Sequence, residues 1–258
     1  MRIAVLFRSF VVLAVLLSSS APSSAAPVPA LETARALIVV TTADWDSTQA
    51  RLQAFHRVDG RWQPAAPAFA VALGQHGSAW GEGLHPAQTQ GPQKREGDGR
   101  SPAGIFAIGP AFGYAPQIDS AMPYQPMQAS HYCMDVPSSP LYNRIVDADQ
   151  VGKAAVAGST EPMRLDLRQP GDARYQEGFV IAHNPQAIPG RGSCIFAHLW
   201  RSPGHVTAGC TAMAPADMQR LLAWLKPEDA PLFVLLPRAE YARLQRSWQL
   251  PALAQATP

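Results

Sequence analysis

The chain has 258 residues, enough for one generous domain or two small ones, and 47% of them are hydrophobic, enough to bury a sizeable core. Its formal charge is +2; setting aside Arg2 and Arg8 of the first segment lowers the 21 basic residues to 19, against 19 acidic ones. No basic run or stripe remains, which excludes a nucleic-acid footprint and a polybasic membrane patch.

Met1-Arg2 and Arg8 supply positive charge, Phe10 to Leu17 an apolar run, and Ser18 to Ala26 a small-residue stretch. This is the pattern of a secretory signal peptide, 1–26, cut near Ala25 or Ala26. The run is shorter than the roughly 20 residues a membrane span needs, so no stable membrane insertion is expected after cleavage. Residues 27–36, with prolines and small residues, read as a loose leader. Strands are expected at Leu37–Thr42, at Arg51–His56 and Arg61–Pro64 around the turn Val58-Asp59-Gly60, and at Phe69–Leu73. Gly74 to Arg100 reads as surface loop, and Ser101 to Ile108 as another strand. Pro110 to Ser130 reads as irregular, 132–147 as a short strand and a loop, and 150–170 as loop with a helical turn.

Gly178–His183 and Ser193–Trp200 are strong strand candidates, separated by the Pro185–Gly192 turn region. The best helix is Pro215–Leu225, where Met218, Leu221, Leu222 and Leu225 recur at helical spacing behind an early proline. Pro231–Leu236 is a last strand and Ala239–Trp248 a last helix; 250–258 reads as a tail. Short strands and turns dominate, and the 25 prolines disfavour long helices. The expected fold is mainly β, a single compact domain with a few short helices.

Beyond the signal segment stand three cysteines, Cys133, Cys194 and Cys210. An odd number in an exported protein leaves at least one unpaired or paired between chains. If Cys210 is the free thiol, Cys133 and Cys194 form the disulfide. Cys210 follows Gly209 and precedes the helix near Pro215. Gly209 allows a sharp turn and close approach of a substrate. Amides near a helix start would lower the thiol pKa, and those of Gly209 and Cys210 would form an oxyanion hole. A thiol nucleophile also needs an imidazole base. His198 lies at a strand end and His205 in the following loop; a strand end holds a side chain more firmly. His198 is therefore the expected base, with His205 a substrate contact and His183 on a neighbouring strand lining the same cleft. Zinc ligation by these residues is disfavoured, because no short paired-ligand spacing is present.

At these residues the chain resembles the L,D-transpeptidase catalytic-domain (YkuD-type) family. The family's pattern of a strand ending in His, a loop, and then Ser/Thr-x-Gly-Cys is matched by His198 and Thr207-Ala208-Gly209-Cys210. Upstream, Lys94-Arg-Glu-Gly-Asp-Gly-Arg-Ser-Pro-Ala-Gly-Ile-Phe106 is similar to the family's Thr/Ser-Pro-x-Gly-x-Phe strand entry, in the variant led by Glu-Gly-Asp-Gly. Partial matches follow at Asp135–Pro137, Tyr142-Asn143 and Gly192-Ser193. The resemblance runs from about residue 70 to 236. Departures are the 12-residue step from His198 to Cys210, Ala208 where many members carry a polar residue, and Thr211-Ala212 where many carry Ile-Arg.

The resemblance implies a β-sandwich catalytic domain over 37–249. It implies a periplasmic cell-wall enzyme that forms a cysteine thioester with a peptidoglycan stem tetrapeptide and passes the acyl group to an amine. Water as acceptor would make it an L,D-carboxypeptidase; a non-catalytic wall-binding module is the alternative from another class. Expected catalytic residues are Cys210, His198, Gly209 and Thr207, with the Thr207 hydroxyl or a backbone carbonyl orienting the imidazole. Expected substrate contacts are His183, Asn143, Trp200, Arg201 and His205, with Arg201 standing in for the absent arginine after the cysteine. Neither a metal nor an organic cofactor is called for, and nothing marks a protein partner.

Overall fold

A computed structural model describes residues 28–253; the expected signal segment 1–26 lies outside them. In chain order the elements are α1 (Pro29–Thr33), β1 (Ala36–Thr42), β2 (Gln49–Val58), β3 (Arg61–Pro64), β4 (Phe69–Ala72), β5 (Ser78–Trp80), β6 (Ser101–Gly113), β7 (Tyr124–Pro126), β8 (His131–Cys133), β9 (Ile145–Asp147), α2 (Ala148–Val151), β10 (Glu161–Pro162), α3 (Leu165–Arg168), β11 (Glu177–Ile181), β12 (Phe196–Leu199), β13 (Thr211–Met213), α4 (Pro215–Trp224), β14 (Leu232–Pro237) and α5 (Arg238–Leu244). Eleven strands join in one sheet of order β1-β14-β6-β11-β12-β13-β4-β2-β3, with β5 and β7 added on β6. Because β1 also pairs with β2, the sheet closes on itself, which removes most free edges. The expected mainly β domain with few short helices is what the chain forms.

The main core fills this closed sheet. β1 is buried at every position and is paired on both sides, parallel to β14 and antiparallel to β2, which explains its unbroken run Ala-Leu-Ile-Val-Val-Thr-Thr. The helix α4 covers the core with Met218, Leu221 and Leu222, begins at Pro215 and ends before Leu225. The region 27–36 is not a loose leader over its described part: α1 packs, with Val28, Leu31 and Ala34 buried in the core. The tail is likewise held at its start, where Leu250 is buried and Pro251 C=O accepts bonds from the Tyr241 hydroxyl (2.7 Å) and Gln245 Nε2 (2.8 Å).

β6 runs further than the sequence pattern suggests, straight through Pro110. Its pairing with β11 shifts register between Phe179 and Ile181, at the point where Pro110 falls. A proline cannot donate to a ladder, and a bulge removes that demand. Inside the Ser101–Phe106 motif, Gly104 has φ +134, and a Cβ there would sit 2.0 Å from the His85 ring. Glycine is therefore required where the motif has it.

A separate three-stranded sheet, β10-β8-β9, lies against the outside of the main sheet. Between the two lies a second apolar cluster that includes Phe112, Met127, Met163, Tyr175, Phe196 and Cys210. The disulfide Cys133–Cys194 ties β8 to the segment before β12. That is the pairing expected from the cysteine count, and Cys210 is the free thiol.

Candidate active site

Strand periodicity decides which residues meet here. Side chains alternate faces along a strand. On β12, Ala197 and Leu199 point into the main core, while Phe196 joins the second cluster and His198 shares its face. β13 runs parallel beside β12, with Ala197 opposite Thr211 and His198 opposite Ala212. Cys210, immediately before β13, therefore arrives next to Phe196, whose backbone N–H donates to Cys210 Sγ at 3.3 Å. Cys210 and His198 are thus presented on neighbouring strands of one sheet face, and both line one cavity of about 460 Å³.

The backbone of Cys210 is held by the upstream motif. Cys210 C=O accepts from the Thr207 hydroxyl (2.7 Å) and from the Ser101 hydroxyl (3.0 Å). Ser101 Oγ in turn accepts from Gly74 N–H at 2.9 Å. Thr207 is itself fixed, its N–H bonding Leu73 C=O and its C=O accepting from Gln75 N–H, both at 2.9 Å. Two motifs 109 residues apart in sequence therefore meet at one peptide group. Gly209 (φ +155) lets the chain pass Arg100, whose carbonyl would lie 3.1 Å from any Cβ.

His198 Nδ1 lies 2.7 Å from Leu199 C=O. A carbonyl only accepts, so Nδ1 carries the proton and Nε2 keeps the basic lone pair. The backbone carbonyl, and not the Thr207 hydroxyl, orients the imidazole. The edge of Tyr175 packs against the ring at 5.2 Å. Burial pushes His198 down to about 4 and the Cys210 thiol up to about 12, the latter helped by the negative charge of Glu161. The resting pair is thus neutral thiol and neutral imidazole. The thiol donates to Cys194 C=O at 3.5 Å, and among the described residues no hydrogen bond joins it to the imidazole.

This reverses the expectation of a thiol acidified by a helix start. The helix does begin at Pro215, but strand β13 lies between it and Cys210, and the thiol sits in an apolar cluster where charge is disfavoured. The expected oxyanion hole is also narrowed. Gly209 N–H bonds Thr207 Oγ1 at 3.1 Å, which leaves the Cys210 amide as the donor of the two that can face an oxyanion.

Of the expected substrate contacts, Trp200, Arg201 and His205 line the cavity with Thr207 and Gly209. Arg201 is half exposed and only loosely tied to Asp172, at 3.9 Å. His183 and Asn143 do not belong to this cavity; they line another, of about 400 Å³, separated from it by the Cys194–Phe196 segment. Asn143 is structural: its amide donates to His183 C=O (2.9 Å) and Asn184 C=O (2.8 Å) and accepts from Cys194 N–H (2.9 Å). His183 is buried, with Nε2 2.9 Å from Arg191 C=O. The alternation that puts His198 on the cavity face is not continued at His183, which lies past the end of β11.

The far wall was not legible in the sequence. Glu161 on β10, Arg174 and Tyr175 before β11, and Asp135 after β8 all line the cavity. Arg174 pairs with buried Asp172 at 2.7 Å. Near the rim, the Glu-Gly-Asp-Gly turn is held by its own acids. Asp98 accepts from Arg95 N–H (2.8 Å), Arg100 N–H (2.9 Å) and Lys94 Nζ, while Glu96 accepts from the Ser193 (2.9 Å) and Tyr142 hydroxyls.

Comparison with known proteins agrees with the geometry. The family model of the L,D-transpeptidase catalytic domain (YkuD) matches residues 41–234. No curated protein and no solved structure compared with the chain matches it. The matched span covers most of the chain, including His198, Cys210 and the Ser101–Phe106 motif, and the chain belongs to the L,D-transpeptidase catalytic-domain family.

Proposed function

We propose, with membership of a family of cysteine-dependent L,D-transpeptidases of peptidoglycan as the premise, that Cys210 forms a thioester with a stem tetrapeptide. The observation that carries this is the free Cys210 thiol opening, with His198, into one cavity from adjacent strands. The cavity volume falls within the usual few hundred Å³ for a small-ligand site.

The thiol turns from Cys194 C=O towards His198 Nε2 and gives up its proton as sulfur attacks the carbonyl before the terminal D-alanine. The C–S bond forms, and the developing oxyanion meets the Cys210 amide. The C–N bond then breaks, and the imidazolium returns its proton to the leaving D-alanine amine. An amine, typically the side chain of a neighbouring diaminopimelate, attacks the thioester and yields a 3→3 cross-link. Arg201, exposed at the rim, takes a substrate carboxylate, with Trp200 and His205 beside it. Peptidoglycan lies outside the inner membrane, so the proposal places the protein there, exported by the segment 1–26.

Intact-mass measurement with a carbapenem tests the nucleophile. Wild-type protein should gain one adduct and Cys210→Ala none; an adduct on the variant refutes the assignment. Muropeptide analysis after incubation with tetrapeptide then separates acceptors. Dimers mean transpeptidation, whereas tripeptides alone mean the L,D-carboxypeptidase alternative. An inert thiol would mark a wall-binding module.

A further inference from the structure

The proton balance of the second half-reaction exposes a requirement that Cys210 and His198 do not meet. A side-chain amine has a pKa of about 10.4, so it reaches the thioester as an ammonium. Forming the amide strips two protons from that nitrogen. One passes through His198 to the departing Cys210 sulfur. The other needs a second acceptor. Water already carries a lone pair and gives up one proton during its attack, the one that His198 relays; its second proton leaves only afterwards, from the product carboxylic acid.

The cavity holds a group suited to this. Glu161 lines the same wall-to-wall space as Cys210 and His198. Its Oε1 accepts from the Tyr175 hydroxyl at 2.6 Å, the one hydrogen bond of this carboxyl among the described residues. Tyr175 is buried, and its ring packs on both His198 and Phe196, so the carboxyl is braced against the catalytic base. The charged or titratable groups facing it are Asp135 after β8, Arg174 and Tyr175 before β11, and Cys210 just before β13. Arg174 is already engaged by Asp172, which leaves Glu161 without an ion-pair partner of its own.

We propose that Glu161 is the second proton acceptor of the site and that it directs the thioester towards amines in preference to water. This rests on the thioester reading above. The ammonium passes one proton to the Glu161 carboxylate, and the free amine attacks the thioester carbonyl. The C–N bond forms, the C–S bond breaks, and the second proton moves through His198 to sulfur. Glu161 then releases its proton to solvent, so ammonium and thioester become amide, thiol and one proton. Burial lifts the Glu161 carboxyl to about 7; the Tyr175 hydroxyl and the Arg174 guanidinium oppose the rise and Asp135 adds to it. A base in that range can both take and release a proton near neutrality.

The experiment compares wild type with Glu161→Gln, which keeps an acceptor for Tyr175. Purified tetrapeptide serves as donor and acceptor, and dimer and tripeptide are quantified by mass spectrometry. At pH 7 the dimer-to-tripeptide ratio should fall at least tenfold in the variant. It should recover as the pH approaches 10, where free amine is present in solution. Equal losses of dimer and tripeptide, or an unchanged ratio, overturn the proposal. So does a wild type that makes tripeptide and no dimer, although the thioester reading then stands. A wild type that gives no Cys210 adduct brings down that reading itself. Should the glutamine variant not take a carbapenem adduct, Glu161→Asp has to restore the wild-type ratio; failure to do so also overturns the proposal.

Discussion

Ser101 is the strongest test of how the two motifs cooperate. It is fully buried, and its hydroxyl joins Gly74 N–H (2.9 Å) to Cys210 C=O (3.0 Å). Ser101→Ala removes one oxygen, too little space for a replacement water. Gly74 N–H would be left as a buried donor without its partner, at a cost of about 1–3 kcal/mol. Cys210 C=O keeps the Thr207 hydroxyl at 2.7 Å, so there the loss is the net worth of one bond, about 1 kcal/mol. The sum is about 2–4 kcal/mol, a fall in Tm of roughly 4–16 °C for a domain of this size. Thr207→Val cuts the other support. In the double variant the carbonyl has neither hydroxyl, so its loss should exceed the sum of the single losses by more than about 0.5 kcal/mol. Urea unfolding measures all of these, and the carbapenem acylation rate reports the nucleophile's placement, expected to drop at least tenfold in Ser101→Ala. A Ser101→Ala protein within about 0.5 kcal/mol of wild type, or strictly additive losses, would refute the shared-carbonyl reasoning.

Two further outcomes follow from the site's burial. With the thiol raised to about 12 and His198 lowered to about 4, Cys210 is protonated throughout neutral pH. Its alkylation by iodoacetamide should therefore climb about tenfold per pH unit from 7 to 10; a plateau reached between pH 5 and 8 would mean a preformed thiolate–imidazolium pair. The Cys133–Cys194 disulfide spans 61 residues, and closing such a loop stabilises by about 4 kcal/mol in the chain-entropy model. Reduction should lower stability by roughly that amount and, by freeing the Cys194 carbonyl that the thiol faces, speed alkylation of Cys210. Unfolding curves that coincide with and without reductant would contradict this.

Much of the architecture could be read from local pattern. The apolar run of β1, the hairpin turn between β2 and β3, and the helical spacing of α4 are strong local signals, and each element formed near its expected bounds. Short strands with weak pattern were not legible. β13 has only Thr211–Met213 and pairs with β12 and β4, so nothing local announces it, and without it Cys210 was expected to feel the start of the helix at Pro215. Pro110 hid the second half of β6 because the bulge that tolerates it depends on β11.

Residue order alone determined that Cys210 follows a glycine and that an odd cysteine is left over, and its pattern put His198 near the end of a strand. Those features pointed to a thiol nucleophile, because the chemistry needs a thiol, a base and a close turn. Only the tertiary structure decided which groups surround them. Parallel pairing of β12 and β13 put His198 and Cys210 on one face, while His183, past the end of its strand, and Asn143 went to another cavity. Packing of the small sheet on that face brought Glu161 to the cavity that the thiol lines and left Cys210 buried in an apolar cluster with Tyr175. Proton affinity depends on burial and on neighbouring charge, which come from segments far apart in the chain; that is why the sequence suggested an acidic thiol and the folded protein holds a neutral one.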